Sequence, residues 1–249
     1  MSAALRLQGL CKSYGALKVS DGVDLAIEPG EFRAVIGPNG AGKTTLVHQV
    51  SGLARHDSGR ILLDGRDIGA LAMPDRVRLG LARSFQVTSI LPGFTVRDNV
   101  ALAVQARSGS SFRFWRDAAR EPELNEPAAE LLARFGLAHR AELPAGLLSY
   151  GEKRQLELAV ALATRPRLLL LDEPLAGTSH AESREVVERL QALRGSLTIL
   201  LVEHDMEAVF ALADRVSVLV YGRVIATGTP DQIRADPEVR AAYLGEEAA

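Results

Sequence analysis

Gly37-Pro38-Asn39-Gly40-Ala41-Gly42-Lys43-Thr44 fits the spacing G-x-x-x-x-G-K-[ST], which suits the grip of a polyphosphate. Gly37, Gly40 and Gly42 permit backbone angles and a closeness of approach that a Cβ would block. Lys43 would reach the β and γ phosphates, the Thr44 hydroxyl would sit beside a Mg²⁺ ion, and Thr45 continues the run. Farther along, Asp172 and Glu173 follow an apolar run. Two carboxylates there could divide the work, Asp172 holding Mg²⁺ and Glu173 positioning and deprotonating a water for attack on the γ phosphate. The plainer alternative is a strand end and a helix cap. His204 in Glu203-His204-Asp205 closes a second apolar run, where a histidine faces ligand more often than elsewhere.

These groups converge only if the elements around them are right. Phe32 to Ile36 reads as a buried strand and Thr44 to Val50 as a helix, so loop amides and the positive end of a helix dipole point at one spot. Leu168-Leu169-Leu170-Leu171 and Thr198 to Val202 read as strands of a parallel sheet buried on both faces. Leu5 to Leu10 and Val23 to Ile27 alternate as half-buried strands, and Gly59 to Gly65 adds another closed by an Asp-Gly turn. Tyr14 lies at the edge of this sheet, where it either packs or stacks on a base. Leu81 to Gln86 is expected to be a strand, with Gln86 at its end.

After residue 87 the pattern turns helical. Thr95 caps a helix, Ala128 to Phe135 forms another with Gly136 as its stop, and Gly151 to Ala163 a third, while Arg107 to Pro127, with Trp115, reads as an exposed excursion. Ser179 and Glu182 have capping-box spacing for the next helix. Arg215 to Tyr221 and Val224 to Ala226 pair through Gly222, and Thr229 and Asp236 each cap a tail helix, the second ending at Gly245. The expected architecture is an α/β phosphate-loop core with an antiparallel β subdomain, an inserted helical subdomain at 87–160 and a helical tail at 227–249. One domain spans 1–249.

The chain has 249 residues, 47% hydrophobic and 24% charged, with a formal net charge of -2. That balance supplies no global basic field for nucleic acid. Cys11 is the only cysteine, so no internal disulfide forms. No apolar run reaches the ~18 residues of a membrane-spanning helix, and the amino terminus has no secretory pattern, which places the chain in the cytoplasm.

The motifs in this order resemble the ATP-binding subunit of ATP-binding cassette (ABC) transporters, over essentially the whole chain. Leu148-Ser149-Tyr150-Gly151-Glu152 is similar to that family's signature, usually Leu-Ser-Gly-Gly-Gln, with Tyr150 and Glu152 as departures. The resemblance implies that Tyr14 stacks on adenine, that Gly37 to Thr45 bind the phosphates, and that Gln86 senses Mg²⁺ and the membrane subunit. It further implies that Asp172 is the Mg²⁺ aspartate, Glu173 the catalytic base and His204 the γ-phosphate switch. Ser149 and Gly151 then complete the ATP site of a second cassette, identical or paralogous. Integral membrane permease subunits would dock on the helical part, with a solute-binding protein as an indirect partner and the cassette peripheral on the cytoplasmic face of the inner membrane. Ser179 stands where the family usually has aspartate. The ending Ala226-Thr227-Gly228-Thr229-Pro230 with Tyr243-Leu244-Gly245-Glu246 is similar to ATPases of branched-chain amino acid importers. An exporter of lipid or polysaccharide, a soluble cassette ATPase and a small-molecule phosphotransferase are the competing readings.

Overall fold

A computed structural model of the chain describes residues 3–84, 90–108 and 121–241. Two sheets organise it. Strands β1 (Leu5–Tyr14) and β2 (Leu17–Ile27) form a hairpin, and β3 (Phe32–Ile36) leads into the glycine loop and helix α1 (Lys43–Ser51). Strands β4 (Ser58–Leu63) and β5 (Arg66–Asp67) turn about Asp64-Gly65, followed by α2 (Met73–Arg78) and β6 (Leu81–Arg83). Next come α3 (Val96–Ser108), α4 (Pro122–Arg134) and α5 (Tyr150–Ala163). Strand β7 (Leu168–Asp172), α6 (His180–Gln191), β8 (Thr198–Val202) and α7 (Met206–Leu212) return the chain to the core. It closes with the hairpin β9 (Arg215–Val220) and β10 (Arg223–Gly228), then α8 (Pro230–Ala235) and α9 (Pro237–Val239).

The larger sheet has the order β10-β9-β3-β8-β7-β6, parallel from β9 through β6, and the smaller antiparallel sheet the order β2-β1-β4-β5. The period-two rule explains how one sheet serves two cores. Leu169, Leu171, Ile199 and Leu201 face the core shared with α3, α4 and α5, whereas Leu168, Leu170, Leu200 and Val202 face α1 and the smaller sheet. Strands buried on both faces need the continuous apolar runs seen in the sequence.

The expected capping chemistry is present. Thr95 Oγ1 accepts from the Asp98 amide at 3.0 Å, and complete capping boxes begin α6 at Ser179 with Glu182 and α8 at Thr229 with Gln232. Several boundaries differ from expectation: β1 runs past Leu10 to Tyr14, β2 begins at Leu17 and not at Val23, and β6 ends at Arg83. Helix α4 begins at Pro122, six residues before the expected Ala128, and runs through Pro127. Proline ordinarily stops a helix, but here Leu124, Ala128 and Leu132 form one buried stripe that carries the helix across it. Helices α2 and α7 have no counterpart in the sequence reading. The first is anchored by the buried Arg76, which donates to the carbonyls of Gln49 and Val50, both at 2.7 Å. The second is capped by Asp205, which accepts from the Ala208 amide. Gln86, Trp115, Gly245 and the terminal Tyr243 to Glu246 lie outside the described residues.

Candidate active site

Strands β3, β8, β7 and β6 run parallel, so the segments that leave their carboxyl ends meet along one edge of the sheet, where ligands bind in such folds. Gly37 leaves β3, Glu203 leaves β8, Glu173 leaves β7 and Ser84 leaves β6.

The glycine loop is held on both sides. A Cβ on Gly37 would stand 1.9 Å from the Leu219 carbonyl oxygen and one on Gly42 2.2 Å from that of Val19, so both positions require glycine. The β9–β10 turn completes the frame: the Gly222 amide donates to the Ala41 carbonyl at 3.0 Å, and the Gly222 carbonyl accepts from the Asp21 amide at 2.8 Å. No side chain caps α1 and its first turn holds no acid, so its positive end stays open toward the loop.

Lys43 is the first residue of α1 and is almost fully buried. Its ammonium donates to the carbonyls of Gly37 at 2.6 Å and Pro38 at 3.1 Å. Burial holds it below the ordinary lysine range, against the opposing pull of Glu173 and Asp172. Those two acids, 129 and 130 positions downstream, thus act on the same ammonium. Thr44 and Thr45 follow on the half-buried first turn.

Asp172 is buried at the end of β7. Its Oδ2 accepts from Arg83 Nη2 at 2.9 Å, and its Oδ1 is buried with no hydrogen-bond partner among the described residues. Glu173 has φ of 50°, a left-handed conformation uncommon for a non-glycine residue. Its amide donates to the Val202 carbonyl at 2.8 Å, which pins the strained turn to β8. Strain of this kind persists where surrounding contacts fix a side chain in a required place.

His204 is largely solvent-facing, with Nδ1 3.4 Å from Glu203 Oε2. Glu203 itself is fully buried and accepts from the amides of Leu175 at 2.9 Å, His204 at 2.8 Å and Asp205 at 3.3 Å. One carboxylate therefore binds the segment after Glu173 to the segment carrying His204. Sequence reasoning overlooked both Glu203 and Arg83. An acid directly after a buried strand was the available signal for the first; none was available for the second.

Tyr14 ends β1 with its ring about half exposed and Lys12 Nζ 5.1 Å from its centroid, leaving a face open. Ser149 caps α5, its hydroxyl accepting from the Glu152 amide at 3.2 Å while Glu152 Oε2 accepts from the Ser149 amide at 2.8 Å. At Gly151 a Cβ would lie 2.2 Å from Glu182 Oε1, so the carboxylate of α6 sits against the first turn of α5. An apolar groove of about 240 Å³, bordered by Met73, Val77, Leu81, Ile90, Val160 and Arg83, opens between the sheet and α5.

The family model described as ABC transporter matches residues 20–176, well over half of the chain. The chain belongs to the ABC transporter ATP-binding family. A second model, described as branched-chain amino acid ATP-binding cassette transporter, matches residues 223–249. This ABC ATPase is 38% identical to the high-affinity branched-chain amino acid transport ATP-binding protein BraF of Pseudomonas aeruginosa, over 97% of this chain and 98% of the relative. It is 38% identical to the corresponding LivG of Escherichia coli, with 97% and 98% covered. It is also 35% identical to the lipopolysaccharide export ATP-binding protein LptB of Haemophilus influenzae, with 98% of each covered. Among solved structures, an ATP-binding cassette of an ABC transporter in its ADP conformation superposes with a TM-score of 0.85 at 28% identity, covering 98% of this chain and 100% of that one. A nucleotide-free cassette gives 0.83 at 28% identity, with 97% and 98% covered. The phosphate-loop α/β fold expected from the sequence is thus that of the ABC cassettes, and the activity is ATP hydrolysis coupled to a transporter. Among the described residues, no helix is long and apolar enough to cross a membrane.

Proposed function

We propose that this ABC ATPase powers an importer of branched-chain amino acids or related small polar solutes, working as one of two cassettes beneath membrane permease subunits that receive solute from a binding protein. The observation that carries the importer reading is the match of residues 223–249 to the branched-chain amino acid cassette model, joined by near full-length similarity to BraF and LivG.

The geometry of the site supports a division of labour. The open end of α1 and the loop amides receive the phosphates, and Lys43 exchanges its loop carbonyls for phosphate oxygens. Tyr14 offers a ring to the adenine. Asp172 Oδ1, a buried acceptor without a partner among the described residues, and the Thr44 hydroxyl fit a Mg²⁺ ion, which takes one or two protein oxygens and otherwise water and phosphate. That ion would neutralise charge on the phosphates. Glu173, fixed by its strained turn, takes the proton of the attacking water, and His204 contacts the γ phosphate. The reading assigns Gln86 to contact between Mg²⁺ and the membrane subunit, and gives Ser149 and Gly151 to the nucleotide of the opposite cassette. The apolar groove beside Arg83 receives a permease segment, with the cassette on the cytoplasmic face of the inner membrane.

Reconstitution with its membrane subunits tests this. ATP-dependent uptake of leucine, isoleucine or valine into vesicles is expected, and Glu173→Gln should bind ATP yet turn it over at least a hundredfold more slowly. The similarity to LptB supports a second reading, lipid or polysaccharide export. Co-purification with export subunits and no amino-acid uptake would establish that instead.

A further inference from the structure

Arg83 and Asp172 form a buried ion pair at the adjoining carboxyl ends of β6 and β7, with side chains 5% and 0% exposed. Arg83 Nη2 donates to Asp172 Oδ2 at 2.9 Å, and Nη1 donates to the Ser51 hydroxyl at 3.3 Å on α1. His48, one turn earlier on α1, sits within the field of the same pair: burial and Arg83 press it toward the neutral form against the pull of Asp172. The carboxylate therefore shows two unlike oxygens. Oδ2 is taken by the guanidinium, while Oδ1 is buried without a hydrogen-bond donor among the described residues.

We propose that Arg83 is a positioning residue that serves as the resident counter-ion of Asp172. It neutralises the buried carboxylate in the nucleotide-free protein, fixes the plane in which Oδ1 is presented, and weakens the affinity of that oxygen for the incoming Mg²⁺. A buried carboxylate stripped of its cation is strongly disfavoured, so the unloaded site needs a positive charge of its own. A Mg²⁺ ion held by Asp172 would share its carboxylate with the Arg83 guanidinium, and the repulsion between the two cations would oppose metal binding. Arginine suits this place because it keeps its charge when buried and its planar fork can hold Asp172 and Ser51 together. The inference rests on the reading of Asp172 as a metal ligand.

The test compares Arg83→Met and Arg83→Lys with the parent chain, all carrying Glu173→Gln to suppress turnover. Two quantities are read: the thermal midpoint without metal or nucleotide, and the Mg²⁺ concentration giving half-maximal binding of fluorescently labelled ATP. Arg83→Met should lower the midpoint of the metal-free protein, lose most of that deficit once Mg²⁺ and ATP are present, and reach half-saturation at about three- to tenfold lower Mg²⁺. Arg83→Lys, which keeps the charge, should stay close to the parent in the second quantity. A deficit of equal size with and without Mg²⁺ and ATP, or an unchanged or raised Mg²⁺ requirement, would reduce Arg83 to a packing role and overturn the inference. Should Arg83→Met fail to fold, the double variant Arg83→Met with Asp172→Asn decides: recovery of a folded protein supports the counter-ion role, and continued failure contradicts it. Asp172→Asn alone separates the two layers of the argument. If it leaves the Mg²⁺ requirement at the parent value, the metal reading of Asp172 fails. If it weakens Mg²⁺ binding while Arg83→Met shifts nothing, only the counter-ion role fails.

Discussion

The Tyr150 hydroxyl donates to the Ala176 carbonyl at 3.0 Å and so ties the start of α5 to the loop that follows Glu173. The same hydroxyl accepts from Arg154 Nη2 at 2.8 Å, and the guanidinium lies 5.2 Å from the ring centroid. The ring also meets Gly177, where a Cβ would be 3.1 Å from Tyr150 Cε1. The departure Tyr150 therefore has a structural job that glycine could not perform: it couples the signature to the segment carrying the proposed base.

Tyr150→Phe keeps the ring and deletes both hydrogen bonds. A loss of about 1 kcal/mol is expected, seen as a fall of roughly 2–4 °C in thermal midpoint for a chain of this size. Steady-state ATP turnover should fall with little change in ATP affinity, because the loop beyond Glu173 loosens while the phosphate loop is untouched. Equal turnover in the two proteins would show that the link is structural only.

Lys43→Ala removes the ammonium that now satisfies the carbonyls of Gly37 and Pro38. ATP affinity is expected to drop at least tenfold, the equivalent of about 1.4 kcal/mol, measured by titration with a fluorescent nucleotide. Stability should change less, since Lys43 sits buried below its ordinary range and its removal relieves that burden.

Glu203→Gln leaves a single acceptor where three amides now converge on two oxygens, and turns an NH₂ toward N–H groups. Roughly 3 kcal/mol of stability should be lost, read from chemical denaturation. Turnover should fall as well, because Leu175 and His204 lose their common anchor.

Glu152 supplies a pH signature. Burial pushes its carboxyl up, but the Ser149 amide and the Arg140 guanidinium pull it down by more, so the folded protein holds it below the usual glutamate range. A lowered folded value means that stabilisation is present above the unfolded value of about 4.3 and is lost as the pH falls through the folded value. Glu152→Gln should therefore be the less stable protein at pH 7, with the gap closing below about pH 4. Denaturant unfolding at a series of pH values reads this directly, and a gap that stays constant with pH would contradict it.

Much of the site was legible because its parts are local. The phosphate loop is eight consecutive residues between a strand and a helix, and each of those states follows from period and composition over a few residues. The acids of β7 were legible for a similar reason, since an uninterrupted leucine run must be a doubly buried strand and whatever follows it lies at a sheet edge. Helix α4 was misplaced because the local rule against Pro127 was outweighed by a buried stripe whose partners lie elsewhere in the chain. Helices α2 and α7 are short, and such short helices are held by tertiary anchors more than by their own propensity.

By itself, then, the sequence determined the glycine loop between its strand and helix, the place of the two acids at a strand end, the helix caps and the family resemblance, since each rests on neighbours within about one turn or strand. Only the tertiary structure decided which distant groups share an environment. Arg83 meets Asp172 across 89 positions because β6 pairs with β7, and Glu203 meets Leu175 across 28 because β7 lies beside β8. Those pairings come from strand order, and strand order is settled by burying two faces of one sheet at once, a property of the whole chain and of no segment within it.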